Sequence, residues 1–218
     1  MITEAVVFDM DGVIFDSEKL ICDIWAEYAQ EIGLENIDEI LLKCIGVNDS
    51  ATRKIMYEAY GDDFAYDEHL KVISKRYHSI ADNGKLPVKP GVFNLLDYLK
   101  SKNIKMAVAS STRVQTVTNQ LTAAGFADYF DYIIGGDMVA KSKPEPDIFL
   151  EACRKLGANP AKSFVIEDSY NGIKAGVNAG MRPIMVPDLL PATDEMWEKS
   201  FAVKKDLNEV KSLLETLL

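Results

Sequence analysis

The chain has 218 residues, 48% hydrophobic and 27% charged, enough apolar content for a sizeable core and too much for a disordered chain. Acidic residues outnumber basic ones 34 to 24, a formal net charge of −10. That balance argues against a nucleic-acid or anionic-membrane partner, which would need a basic surface. It leaves room for a small anionic substrate, because a bound divalent cation can supply a local positive centre. Cys22, Cys44 and Cys153 are too far apart for a zinc site or a disulfide framework and read as reduced thiols. The first residues lack a signal-peptide pattern and no apolar run approaches a membrane span, so a cytoplasmic protein is expected.

The first expected strand covers residues 5–8 and opens into Asp9-Met10-Asp11-Gly12-Val13. About 95 residues separate it from the next strand, several times an ordinary crossover. An inserted domain is the simplest account, expected over residues 16–85, with helices near 18–32, 50–60 and 67–81. Phe15-Asp16-Ser17 leads in, and the turn-rich Asn83-Gly84-Lys85-Leu86-Pro87 leads out. Trp25 and Tyr28 read as packing of the first inserted helix, and His69 and His78 as surface or packing of the third. Beyond the insert, Val92, Leu95, Leu96 and Leu99 form a helical stripe. Strands are then expected at 104–109, 132–134, 163–166 and 183–186. Phe149, Ala152, Cys153 and Leu156 form a second stripe, and residues 206–218 a closing amphipathic helix. Such alternation of strand and helix predicts an α/β fold with a Rossmann-like doubly wound parallel sheet, residues 1–15 and 86–218, interrupted by an α-helical cap.

Four strand ends carry chemistry, and a doubly wound sheet brings such ends together. The first has the paired carboxylates Asp9 and Asp11. The second has Ser110, Ser111 and Thr112 at a helix start, where Thr112 and Gln115 have capping-box spacing, so Thr112 is expected as the cap with Ser110 and Ser111 free for phosphate. After the third comes Lys143, flanked by Ser142 and Pro144 and ranked above its neighbour Lys141. The fourth has Glu167 and Asp168. Singly, each has a plain alternative: solvated turn residues, ordinary capping, a solvated lysine. Together the four carboxylates would repel strongly unless some were protonated or a cation sat among them, and an all-oxygen set suits Mg²⁺.

This set, Asp9-Met10-Asp11-Gly12-Val13, Ser110, Ser142-Lys143-Pro144 and Glu167-Asp168-Ser169 with Gly172-Ile173, resembles the four signature motifs of the haloacid dehalogenase superfamily. The helical insert directly after the first motif is similar to the subgroup of β-phosphoglucomutase, phosphoglycolate phosphatase and sugar-phosphate phosphatases. The resemblance implies an enzyme, a phosphoric monoester hydrolase acting on a small phosphorylated metabolite, with a sugar phosphate leading. Asp9 would be the nucleophile and Asp11 the general acid and base. Asp9, the Asp11 backbone carbonyl and Asp168 would hold Mg²⁺, with Glu167 in or just behind that set. Ser110, the Ser111 N–H and Lys143 would hold the phosphoryl oxygens. A monomer is compatible with a mobile cap.

The nearest rival is a phosphosugar mutase. In β-phosphoglucomutase a histidine precedes the cap, and an arginine and a lysine within it grip a second phosphate. Here Ile21 stands at the histidine position, Asp49 where the arginine would follow Gly46-Val47, and Tyr77 at the lysine position, although Arg53, Lys75 or Arg76 could replace them. A metal-free dehalogenase would not need Asp11, and a signalling receiver would have no helical cap at this point.

Overall fold

The computed structural model describes residues 3–45 and 49–218. Apolar runs without two-residue alternation become strands covered on both faces. They are β1 (Ala5–Phe8), β2 (Lys105–Ser110), β3 (Tyr132–Gly135), β4 (Ser163–Glu167), β5 (Arg182–Met185) and β6 (Ala202–Val203). All pair in parallel, in the order β3-β2-β1-β4-β5-β6. The two-residue β6 escapes sequence reading, being too short to show a pattern.

Helices α1 (Ser17–Ile32), α2 (Ile37–Cys44), α3 (Asp49–Tyr60) and α4 (Tyr66–Ala81) lie between β1 and α5 (Val92–Ser101). Among the described residues the eight-residue α2 was not expected, whereas α1, α3 and α4 fall where helices were expected, near 18–32, 50–60 and 67–81. Beyond β2 come α6 (Val114–Ala123), α7 (Asp147–Leu156), α8 (Tyr170–Asn178), α9 (Asp194–Lys199) and α10 (Leu207–Glu215). The closing helix starts after Asp206, whose side chain accepts from the Asn208 and Glu209 amides as an N-cap. Among the described residues no helix is long and apolar enough to cross a membrane.

Alternate residues of β1 feed opposite faces of the sheet. Val6 and Phe8 pack with Leu95, Leu96 and Leu99 of α5, while Ala5 and Val7 pack with Phe149 and Ala152 of α7. The insert has its own apolar cluster, built from Ile24, Trp25, Leu41, Met56, Tyr66 and Ile73. Its two connections run side by side: the Asp16 amide donates to Pro87 O at 2.8 Å and the Lys89 amide to Ile14 O at 2.9 Å.

Strand register sets the site. Phe8 lies level with Val108 on one side and Ile166 on the other, so the chain leaves β1, β2 and β4 at almost the same height. The strand order reverses between β1 and β4, where a doubly wound sheet opens a crevice at its carboxyl edge.

Candidate active site

Asp9 follows the last residue of β1, tied to the sheet by its amide, which donates to Ile166 O at 2.9 Å. Its carboxylate is 6% exposed as a residue and takes a hydrogen bond from Lys143 Nζ at 2.5 Å. Lys143 also donates to Glu167 Oε1 at 2.7 Å and Ala109 O at 3.2 Å, so one ammonium ties together the ends of β1, β2 and β4. Burial pushes the Asp9 carboxyl up to about 8, with Glu167 and Asp11 adding to the rise and Lys143 opposing it. Burial pulls Lys143 down, but Asp9 and Glu167 more than offset that and hold it as a cation.

The competitor Lys141 lies on the surface beside Glu145 at 4.0 Å, and does not enter the site.

Asp11 hangs among hydroxyls. Ser17 Oγ donates to one carboxylate oxygen at 2.7 Å, while Thr112 Oγ1 at 3.3 Å and Ser110 Oγ at 3.4 Å reach the other. Thr112 is therefore not the cap of α6. Its side chain turns to Asp11, and the α6 start is satisfied from outside: Val114 N donates to Asp137 Oδ1 at 2.8 Å. The capping-box spacing was real, but tertiary contact gave the hydroxyl a charged partner instead. Ser110 is fully buried, and its Oγ also accepts from the Thr112 amide at 3.1 Å, whereas Ser111 lines the open cleft.

Glu167 and Asp168 point to different tasks. Glu167 Oε2 accepts from the Asp168 amide, the Ser169 amide and Ser169 Oγ at 2.9–3.0 Å, and Oε1 takes Lys143, so its acceptor sites are committed. Gly172 leaves the space for it, since a Cβ there would fall 1.8 Å from the Glu167 carboxyl. Asp168 faces the cleft, pushed well above the carboxylate range by burial and then by Glu167 and Asp9. Gly12, at φ +77°, passes so close that a Cβ would lie 2.4 Å from Asp168 Oδ2.

Two acidic residues at this edge were not foreseen. Glu18, in the first turn of α1, and Asp188, just beyond β5, each bring a carboxylate oxygen within 4.8 Å of one another and of Asp168. Burial pushes Glu18 up to about 7, helped by Asp188 and Asp11. Lys89 pairs with Asp188 and, at 3.5 Å, with Asp16. Asp188 follows a strand end, the one signal that could have marked it. Carboxylates so crowded fit a hard divalent cation, which would relieve the repulsion that adds to burial in raising Asp9 and Asp168.

The cleft holds about 490 Å³. Its core wall includes Asp9, Asp11, Lys143 and Asp168, and a stripe of Arg113, Thr116 and Gln120 on or just before α6. Its other wall comes from the insert: Ser17, Glu18, Ile21, Tyr77 and His78. His78, expected as surface or packing, sits on this lining and beside Asp82 at 3.4 Å, while His69 packs, stacked on Phe64 and bonded to the Tyr28 hydroxyl at 3.0 Å. Trp25 is buried as expected. Arg53 pairs with Asp67 at 2.7 Å and Arg76 with Glu31 at 2.5 Å, on the outside of the insert, and Lys75 lies away from this cleft. Gly46, Val47 and the Asp49 side chain lie outside the described residues.

A family model described as haloacid dehalogenase-like hydrolase matches residues 6–186. The chain is 32% identical over 215 residues to a phosphorylated carbohydrates phosphatase of Thermotoga maritima, covering 97% of this chain and 90% of that protein. It is 31% identical over 180 residues to phosphoglycolate phosphatase of Aquifex aeolicus, covering 81% of each. Among solved structures it resembles CbbY of Rhodobacter sphaeroides in complex with phosphate (TM-score 0.75, 26% identity, 96% of both chains). It also resembles β-phosphoglucomutase of Clostridium difficile (TM-score 0.73, 27% identity, 100% of this chain and 96% of that one).

Proposed function

Because the chain belongs to the haloacid dehalogenase-like hydrolase family, we propose that it is a Mg²⁺-dependent phosphatase of a small phosphorylated metabolite, with Asp9 as nucleophile. The observation that carries this reading is the pairing of buried Asp9 with Lys143 two residues from an Asp11 held by hydroxyls. A carboxylate beside a lysine can attack an anionic phosphorus that would otherwise repel it.

In this mechanism an Asp9 oxygen bonds to phosphorus in line with the ester oxygen, whose bond to phosphorus breaks. Asp11 gives that leaving oxygen its proton. A water then attacks the aspartyl-phosphate, Asp11 takes the water's proton, and inorganic phosphate departs with Asp9 restored. Lys143, the Ser111 amide and Ser110 hold the phosphoryl oxygens; Ser110 must first exchange its present partners. Asp9, the Asp11 carbonyl and Asp168 would hold Mg²⁺, which supplies charge neutralisation for the nucleophile and the phosphoryl group. Glu167, with its oxygens engaged by Lys143 and the β4 turn, positions rather than ligates.

Helices α1 to α4 act as a cap over residues 16–85, from which Ser17 donates to the reacting Asp11 and Glu18 stands beside Asp168. A sugar phosphate is the preferred substrate class, in line with the name of the Thermotoga maritima relative. A mutase is less well supported: Ile21 puts an apolar side chain on the cleft wall, and Arg53 and Arg76 are paired elsewhere.

Phosphate release from p-nitrophenyl phosphate and a sugar-phosphate panel, with Mg²⁺ and with excess chelator, tests the reading. Release is expected only with Mg²⁺ and is expected to fall by roughly 10⁴ in Asp9→Asn, with the circular dichroism spectrum unchanged. Wild-type turnover in Asp9→Asn would overturn the nucleophile assignment.

A further inference from the structure

The cleft contains a buried polar side chain that the mechanism does not use. Gln120 of α6 is 1% exposed, lines the cleft, and has an Oε1 with no hydrogen-bond partner. A buried amide oxygen left unpaired loses its hydration for nothing in return. Packing does not require the amide, since Val117 and Leu121 on the same inward side of α6 are fully buried and apolar. A leucine at 120 would serve the core as well.

Tyr77 stands across the seam, on α4 of the insert, and both Gln120 and Ser17 bring hydrogen-bonding side chains to its hydroxyl. Burial, and then Asp11, push the Tyr77 phenol up, so it stays neutral. Ser17 in turn donates to Asp11 at 2.7 Å. A line of neutral polar groups thus runs from the proton donor of the leaving oxygen to the orphaned amide. The terminal torsion of a glutamine is soft, so either end of its amide can face the cleft. A hydroxyl can donate to Oε1 or accept from Nε2. A second phosphate or a carboxylate offers only acceptors, so it could use Nε2 but would leave the unpartnered Oε1 without a donor, whereas a hydroxyl can serve Oε1.

We propose that Gln120, with Tyr77, is the specificity element that reads a neutral hydroxyl on the leaving group of the sugar-phosphate substrates proposed above. The proposal rests on the phosphatase reading above and adds to it a specificity residue and the chemical feature it selects.

Steady-state phosphate release with Mg²⁺ separates the two. Glucose 6-phosphate, ribose 5-phosphate and glycerol 3-phosphate are compared with p-nitrophenyl phosphate and n-propyl phosphate, whose leaving groups carry no further hydroxyl. Wild type is expected to show the higher kcat/KM on the hydroxylated esters. In Gln120→Leu that preference ratio is expected to fall about tenfold, mainly through KM, the size of one ordinary net hydrogen bond. Tyr77→Phe, which keeps the ring, is expected to lower it by a smaller factor. An unchanged ratio in a folded Gln120→Leu protein, an equal fall on both ester classes, or no wild-type preference for hydroxylated esters would overturn the proposal. If Gln120→Leu fails to fold, the ratio in Tyr77→Phe decides. No release from any ester, p-nitrophenyl phosphate included, would count against the phosphatase reading and take this proposal with it.

Discussion

Lys143 has a 7% exposed side chain and two carboxylates within 2.7 Å, so its removal strands buried negative charge in a place with little water. Lys143→Met is therefore expected to cost about 3 kcal/mol of stability in the absence of divalent cation at about pH 9, where Asp9, pushed up to about 8, has lost its proton, a fall in Tm of roughly 6–12 °C for a chain of this size. Mg²⁺ is expected to recover part of that loss while turnover stays depressed, because under the proposed mechanism Lys143 is the phosphoryl oxygens' cationic side-chain partner. Calorimetry with and without Mg²⁺ checks it, and a Tm like that of wild type in chelator would mean that Asp9 and Glu167 are not both charged in the native protein. Among single residues the sequence located Asp9, Asp11 and Asp168 just past the ends of β1 and β4, and the loop after β3 brings Lys143 to the same place. Thr112 shows the limit. Its spacing to Gln115 satisfied a local rule, yet Asp11, about a hundred positions away, took the hydroxyl.

At the scale of elements, the insert hangs on two strands of chain that Lys89 joins to the core. Its ammonium, 17% exposed, contacts Asp16 on the incoming connection and Asp188 beyond β5. A double-mutant cycle of Lys89→Met with Asp188→Asn is expected to give a coupling energy of roughly 0.5–3 kcal/mol, the range for contacting partners. Amide exchange in residues 83–90 is expected to quicken in Lys89→Met before that in β1 or β4, since the connection loses its anchor while the sheet does not. Zero coupling would mean that the ion pair contributes nothing to holding the outgoing connection against the core. Neither Asp16 nor Asp188 was marked by sequence as a partner of Lys89, because ion pairs between distant segments leave no periodic trace. The helices α1, α3 and α4 and five of the strands were readable for the opposite reason: each is a local stretch whose apolar content shows along the chain, the strands as continuous runs.

For the whole molecule, the crowding of acid at one edge of the sheet sets a pH response. The Asp9 carboxyl lies near 8 in the fold against an ordinary 3.8, so the folded state holds this proton more tightly than the unfolded chain does. Stability from this source is full below about 3.8 and is lost as pH rises through about 8. Glu18, raised to about 7, and Asp168 act in the same direction, and Lys143 stays charged throughout that window. In chelator, Tm is expected to fall from pH 5 to pH 8.5, and Mg²⁺ is expected to raise Tm more at the alkaline end, where the carboxylates are free to bind it. Differential scanning fluorimetry across that range checks both, and a Tm that climbs with pH in chelator would show that the cluster is already ionised and neutralised by the protein alone.

What the sequence by itself determined was the alternation of strand and helix, the insert between β1 and α5, and the acids, hydroxyls and lysine at the strand ends. These follow from local periodicity and from the rule that a parallel sheet gathers its strand ends at one edge. What only the tertiary structure decided was which groups meet across that edge: Ser17 and Thr112 on Asp11, Glu167 turned away to Lys143 and the β4 turn, Glu18 and Asp188 beside Asp168, Tyr77 opposite Gln120. Apart from Ser17 on Asp11, six residues away, and Glu167 on its own turn, those contacts join segments tens to more than a hundred residues apart, and their geometry is set by how loops, helices and insert pack at the sheet edge, an outcome that no spacing along the chain encodes.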